Sequence, residues 1–382
     1  MISVLHVNVN YLVSALHQTM IEYLDKEVRN QVFVAIYDSL TQEYVKIKPN
    51  DNVLVSVCYK KADRFIFTLK QRKILKSLEE HLDVKEYDLV HAYTLFTDGN
   101  VALNLKKKYG KPYVVAVRDS DVNHFFKKAI HLRKRGIRIM REAEKVIFLS
   151  QPYQEEVLNS YVPKELREEI RRKSRIIPNG IQDSWFDNLY RERNVDEATK
   201  RFTQKELHAA CVGVLTKRKN YAVTIEALRI LQKRGWTVSL DVIGQPYEEK
   251  IVELVKETEF ATYHGTQPFE KIKDFYRAND VFVMPSLTET FGLTYAEALT
   301  QTLPVIYSRG QGFDRQFPDG EIGFPVDPQS PEEVADRIED ICANYPQICS
   351  KCIEDSYKFQ WETIVSTYCE IYADITGKAE RG

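Results

Sequence analysis

The chain has 382 residues, with 54 Lys plus Arg against 55 Asp plus Glu, and 43% of it is hydrophobic. This length exceeds one ordinary core and points to two domains, while near-zero net charge argues against a general nucleic-acid binder. No uninterrupted apolar run approaches the ~20 residues of a membrane span, and the opening MISVLHVNVNYLVSAL lacks a basic n-region and a cleavage site, so a cytosolic protein is expected.

In the first half, apolar β-like runs alternate with helical patterns, which predicts an α/β lobe with a parallel sheet wrapped by helices. Candidate strands are Ile2–Val9, Gln31–Tyr37, Val53–Tyr59, Asp88–Ala92, Pro112–Val117 and Lys145–Leu149. After the first strand stands Asn8-Val9-Asn10-Tyr11-Leu12 and no G-x-G-x-x-G, so an NAD dehydrogenase is disfavoured. Two later loops, His91–Gly99 and Arg118–His124, follow strand C-termini, where ligands of open parallel sheets collect. Arg118 is either a binder of phosphate or carboxylate or an ion-pair partner of Asp119 or Asp121. His91, Asp119 and His124 are candidate ligand-side residues, each also readable as an ordinary polar loop residue. Asp119-Ser120-Asp121 spells D-x-D, a pattern able to hold a divalent metal; capping of the next turn is the alternative, and no metal is expected.

Residues 125–145, FFKKAIHLRKRGIRIMREAEK, hold eight basic residues against two acidic ones. Interleaved Phe125, Phe126, Ile130, Leu132, Ile137, Ile139 and Met140 form an apolar face for either an anionic membrane or the lobe's own core, with Gly136 expected to interrupt the helix. Arg175-Ile176-Ile177-Pro178-Asn179-Gly180-Ile181 marks the domain boundary, giving lobes over 1–180 and 181–360.

The alternation then resumes with a strand over Leu207–Leu215, which contains Val212-Gly213-Val214-Leu215. The basic turn Thr216-Lys217-Arg218-Lys219-Asn220 and a helix through Leu231 follow. Helix starts prefer negative charge, so a basic turn there favours an anionic ligand. Thr237–Ile243 with Gly244 reads as the next strand and turn, followed by Tyr263-His264-Gly265-Thr266. The six cysteines at positions 58, 211, 342, 349, 352 and 369 are expected mostly as small core hydrophobes, and Cys349-Ser-Lys-Cys352 lacks the second pair a zinc site needs.

Val281–Met284 is a buried strand that Pro285 ends, and the stretch PSLTETFGLTYAEA then carries Glu289 in a loop and Glu297 about two turns into a helical region. Between them lie Phe291, Gly292 and Leu293; helix-start N–H groups favour anions, and Gly292 removes the side chain that would hold a phosphate away. Leu303–Ser308 is a further strand, and Trp361–Ile375 a final helix.

ETFGL…EAL resembles the E-x7-E segment of retaining glycosyltransferases of family 4, and IPNGI resembles the end of that family's first lobe. The resemblance implies the GT-B architecture, two Rossmann-like lobes with parallel sheets facing a central cleft, and a helix over 361–382 crossing back to the first lobe. It implies transfer of a hexosyl group from a nucleotide diphosphate sugar to a glycan, lipid-linked or small polar acceptor, with retention and without metal or cofactor, in surface polysaccharide or glycoconjugate synthesis. Glu289 would lie at the sugar and Glu297 at the ribose, with Gly213, Arg218 and Gly265 among the donor contacts and Lys219 at the diphosphate. The histidine many members carry corresponds to Arg118, and the arginine that usually pairs with the lysine corresponds to Val214. These two departures keep open a second reading, a non-catalytic nucleotide-sugar-binding subunit that scaffolds a polysaccharide assembly complex. The basic stretch 125–145 would place the protein peripherally on the inner face of the membrane.

Overall fold

A computed structural model describes residues 1–38 and 50–378. The chain divides into two compact units, the first comprising Met1–Leu149, Tyr153–Gly180 and the chain from Trp361 on, the second Ile181–Gln360 with Ser150–Pro152.

In the first unit β1 (Ser3–Val7), β2 (Arg29–Tyr37), β3 (Val53–Tyr59), β4 (Leu89–Ala92), β5 (Tyr113–Val117), β6 (Lys145–Phe148) and β7 (Ser174–Ile176) form one sheet in the order β3-β2-β1-β4-β5-β6-β7. Every pairing is parallel, with Val4 of β1 opposite Asn30 on one side and Leu89 on the other. A sheet covered on both faces must be apolar on both, which is why β1 and β5 are buried along their whole length. The helix Trp361–Thr376 covers one face, burying Ile364, Val365, Tyr368 and Tyr372 in the same cluster as Val4, Val32 and Leu89. Its Trp361 ring lies so near Gly180 that a Cβ there would come within 2.5 Å of it.

In the second unit β8 (Glu206–Val212), β9 (Thr237–Ile243), β10 (Ala261–Tyr263), β11 (Val281–Val283), β12 (Val305–Ser308) and β13 (Gly323–Val326) form a parallel sheet in the order β10-β9-β8-β11-β12-β13. The edge strands β7 and β13 are absent from the sequence reading. Both are short, and β13 contains Pro325, a residue that edge strands alone tolerate. Strand order reverses between β1 and β4 and again between β8 and β11, and such switch points open a crevice at the strands' C-terminal ends.

The basic stretch differs from expectation. Gly136 lies inside a continuous helix, Arg133–Glu142, and the breaks come earlier, where a π-helical turn over Asp121–Phe126 passes through Ile130–Leu132. Phe126, Leu132, Ile137, Ile139 and Met140 are buried in the unit's core, so the apolar face offered for lipid is spent on the sheet, and Ile130 is the one large apolar side chain of the stretch left exposed. The cysteines are free thiols, all buried except the half-buried Cys58, and Cys349 and Cys352 face inward on the helix Tyr345–Ser356.

Gly136 is required by contact. A Cβ there would meet Phe96 Cζ at 2.6 Å, and the Phe96 ring is held by stacking on Phe125 (4.5 Å) and an edge contact with Phe126 (5.1 Å). Helix propensity alone would make Gly136→Ala stabilising by about 1 kcal/mol, whereas overpacking costs about 1–3 kcal/mol. The substitution is therefore expected to lower the thermal unfolding midpoint. An unchanged or raised midpoint would show that Phe96 has room to yield.

Candidate active site

The second unit's switch point brings two loops together. After β8, residues Lys217–Lys219 make a 3-10 turn that ends at Asn220, a left-handed residue with φ 62°. The Asn220 side-chain amide donates to the carbonyls of Pro285 (2.9 Å) and Pro328 (2.7 Å), fastening this turn to the loops after β11 and β13. The Leu287 N–H donates to the Arg218 carbonyl (2.8 Å), and Arg218 Nη1 donates to the Thr288 carbonyl (2.7 Å).

This lacing delivers Lys219 to Glu289. Lys219 Nζ lies 2.6 Å from Glu289 Oε2, each side chain only 9% exposed. Arg218 Nη1 stands 3.8 Å from the same oxygen, and the Ser286 hydroxyl donates to it at 3.4 Å. The Glu289 backbone is fixed as well, its N–H donating to Gln311 Oε1 (2.9 Å) and its carbonyl accepting from the Gly312 N–H (2.9 Å).

Glu289 leads into the helix Leu293–Thr300, whose N-cap is Gly292. At φ 83°, and with Tyr295 ring atoms 2.4 Å from where a Cβ would sit, that position admits glycine and provides no side-chain cap for the first N–H groups of the helix. Phe291 is buried between the rings of Phe313 and Phe359, and Leu293 is partly buried. Glu297 falls one turn into this helix, not two, because the helix begins only at Leu293. Burial pushes its carboxyl up to about 7, against the lowering effect of a hydrogen bond with Trp185 and the charge of Lys219.

The glycines near this centre serve close approach. A Cβ on Gly213 would meet Lys219 Cε at 3.3 Å, and Gly244 leaves no room for a Cβ against the Gly213 carbonyl. Gly265, at φ 71°, accepts the Gly244 N–H at 2.9 Å. Val214 is 38% exposed.

In the first unit the candidates are placed differently. His91 belongs to β4 and is fully enclosed, its Nδ1 2.6 Å from the Tyr372 hydroxyl and its ring stacked on Tyr93 at 4.4 Å, so it is a core residue and not a loop residue open to a ligand. Burial drives its ring pKa down, with the charges of His6 and Arg118 adding to the effect. Arg118 is no ion-pair partner of its neighbours. Its guanidinium donates to neutral oxygens, the Tyr93 carbonyl (3.4 Å) and Asn179 Oδ1 (3.2 Å) of the Ile-Pro-Asn-Gly stretch. Asp119 accepts from Asn123 (2.5 Å) and the Tyr153 hydroxyl (3.2 Å). Asp121 is buried and accepts the N–H groups of Leu95, Phe96 and Arg118, so it ties the loop after β4 to the start of its own turn, whose first N–H, that of Arg118, it caps. His124 is exposed, edge-on to Phe125. Among the described residues no group of three or more His, Cys, Asp or Glu is placed to hold a metal ion.

The sequence marks the stretches that hold Asp98, Asn220 and Gln311 without assigning those three residues a role, and it gives no sign of Trp185. Asp98 binds the Val9 N–H (3.3 Å) and the Thr94 hydroxyl (3.0 Å), tying the loops after β1 and β4 together, and burial raises its carboxyl to about 8. Its local signal is a Thr four residues before it at a helix start. Trp185 lies more than a hundred residues from Glu297, and no local pattern connects them.

Comparison with known proteins relates the chain to glycosyltransferases. Residues 18–185 match the model of Glycosyltransferase Family 4, and residues 192–359 that of Glycosyl transferases group 1. The chain belongs to glycosyltransferase family 4. A curated relative, the alpha-monoglucosyldiacylglycerol synthase of Acholeplasma laidlawii, is 27% identical over 80% of this chain and 82% of its own. Sucrose-phosphate synthase from Thermosynechococcus elongatus shares the fold at TM-score 0.71 and 18% identity, covering 99% of this chain and 100% of that one. Anabaena HepE in complex with UDP-glucose does so at TM-score 0.64 and 17% identity, covering 98% of this chain and 100% of that one. The fold is GT-B, two α/β units with parallel Rossmann-like sheets, and the protein is a glycosyltransferase of GT-B type.

Removing one partner of a buried ion pair costs about 3–5 kcal/mol, because the remaining charge is left uncompensated. Lys219→Met is therefore expected to destabilise the second unit by about 3 kcal/mol, with Arg218 screening part of the loss, and Lys219→Met/Glu289→Gln should recover most of it. Urea unfolding of the single and double variants measures the difference; equal midpoints would mean that the pair is not coupled.

Proposed function

We propose that the protein transfers a hexosyl group from a nucleotide diphosphate sugar to a hydroxyl acceptor, with retention of anomeric configuration and without a metal ion. The observation that carries this reading is the buried Lys219–Glu289 pair beside the uncapped helix start at Gly292. A departing nucleoside diphosphate needs positive charge held ready in a dry site. Lys219, Arg218 and the helix N–H groups supply it, with Arg218 taking the place of the arginine absent at Val214. Glu289, freed from Lys219 as the diphosphate binds, faces the sugar ring where positive charge develops. Glu297 accepts the ribose hydroxyls, and the backbone around Gly213 and Gly265 borders the nucleotide. Arg118, tethered only to neutral oxygens, keeps its charge for an anionic group of the acceptor or donor. A lipid-linked or growing glycan, or a small polar molecule, is the acceptor class, in surface polysaccharide or glycoconjugate synthesis. A relative named as an alpha-monoglucosyldiacylglycerol synthase and a structural neighbour in complex with UDP-glucose support these acceptor and donor classes.

Purified protein should hydrolyse or transfer from a nucleotide diphosphate sugar in excess chelator, and a product sugar of unchanged anomeric configuration would support retention. Glu289→Gln is expected to lower kcat by ~100-fold while sparing nucleoside diphosphate affinity, and Glu297→Gln to weaken that affinity. Because a carboxylate accepts hydroxyl hydrogen bonds better than its protonated form, wild-type affinity should rise as pH passes through about 7, where Glu297 ionises. The Glu297→Gln variant should lack this rise in calorimetric titration. Loss of activity in chelator with recovery in manganese would overturn the metal-free reading, and wild-type rates in both glutamine variants would overturn the site.

A further inference from the structure

The first unit carries a second basic segment that the sequence reading passed over. Residues 60–76 hold seven lysines and arginines against one aspartate, and residues 127–138 hold six against none, in a chain whose net charge is −1. The aspartate, Asp63, is itself occupied by Lys73 at 2.5 Å. The fold places the two segments side by side. Phe67, at the start of the helix Phe67–His81, meets Phe125 edge-on at 6.2 Å, and Arg135 lies over the Phe67 ring at 5.6 Å.

At this junction the chain leaves apolar side chains in water. Phe65 is 92% exposed and Ile66 54%, in the turn between Lys61–Phe65 and the following helix, and Ile130 of the neighbouring segment is 64% exposed. Exposed Lys60, Lys61, Lys128 and Lys134 belong to the same two segments. An ordinary protein surface scatters such apolar residues singly, whereas adjacent exposed Phe and Ile inside a concentrated cationic field mark a contact surface. A purely polyanionic partner would need the charges and no Phe65. A bilayer with anionic lipid uses both, because cations are drawn to the headgroups and an apolar tip enters the boundary of the acyl chains.

We infer that Phe65 and Ile66, flanked by the cations of residues 60–76 and 127–138, dock the first unit on an anionic lipid bilayer. This surface replaces the apolar face of residues 125–145, which is consumed by the core, and it stands independently of the transfer chemistry. The occupant is the lipid surface; a soluble polyanion is the competing class that the test separates.

The test is sedimentation of the full chain with vesicles of phosphatidylcholine alone or with about one quarter phosphatidylglycerol. Wild type should pellet with the anionic vesicles only. Phe65→Ser/Ile66→Ser, at exposed positions, should keep the wild-type melting temperature yet bind roughly tenfold more weakly at physiological salt, where screening leaves insertion to hold the complex. Lys128→Glu/Lys134→Glu should bind roughly tenfold more weakly on anionic vesicles at low salt. Equal recovery on neutral vesicles would overturn the proposal. So would anionic binding unaffected by the serine pair, and heparin capturing wild type and the serine variant alike while vesicles capture neither would reassign the surface to a polyanion.

Discussion

A parallel sheet whose strand order reverses has a gap at the reversal, and the loops bordering that gap have no ladder hydrogen bonds to hold them together. In both units a buried carboxylate closes it. Asp98 takes the Val9 N–H from the loop after β1 and the Thr94 hydroxyl from the loop after β4. Glu289, from the loop after β11, takes the ammonium of Lys219 from the loop after β8. The difference lies in charge. Among the described residues Asp98 has no cation in hydrogen-bond contact, and burial raises its carboxyl to about 8, so near neutrality it is largely protonated and acts as a neutral tie. Glu289 is joined by a lysine and approached by an arginine, so its switch point holds a separable pair of opposite charges. The first arrangement suits a fixed brace, and the second suits a site where an incoming anion can exchange partners.

Much of this architecture was legible because parallel strands covered on both faces read as short unbroken apolar runs. β3 and β9 have the bounds read from sequence, and β1, β2, β4, β5, β6 and β11 lie within two residues of theirs. The edge strands β7 and β13 were not legible, being short and, in β13, carrying a proline that argues against a strand. Glu289, Gly292 and Glu297 were visible as a local motif because they occupy one loop and one helix. The pairing that gives Glu289 its chemistry was not, since Lys219 lies 70 residues away and periodicity carries no information about which loops meet.

The basic stretch shows a different limit. Its apolar residues are plain in the sequence, yet a helical face does not say whether a membrane or the lobe itself covers it. Phe96 decides, because its ring fills the space above Gly136 and draws Phe125 and Phe126 inward. Ile130 alone of the stretch's large apolar residues is left exposed, and the larger exposed apolar pair comes from a separate segment, at Phe65 and Ile66.

Arg118 joins these observations at the level of charge. The sequence alone leaves its guanidinium to pair with Asp119 or Asp121, and either pairing would cancel it. Instead Asp121 spends its oxygens on three backbone N–H groups, and Asp119 takes Asn123 and Tyr153. Arg118 is left with carbonyl oxygens that orient it without neutralising it. Burial raises the Asp121 carboxyl to about 6 while the nearby Arg118 charge lowers it, so the two groups interact at a distance without a direct contact between their side chains. Keeping the guanidinium off both carboxylates leaves its positive charge at the strand ends, where a guanidinium is suited to pair with an anion.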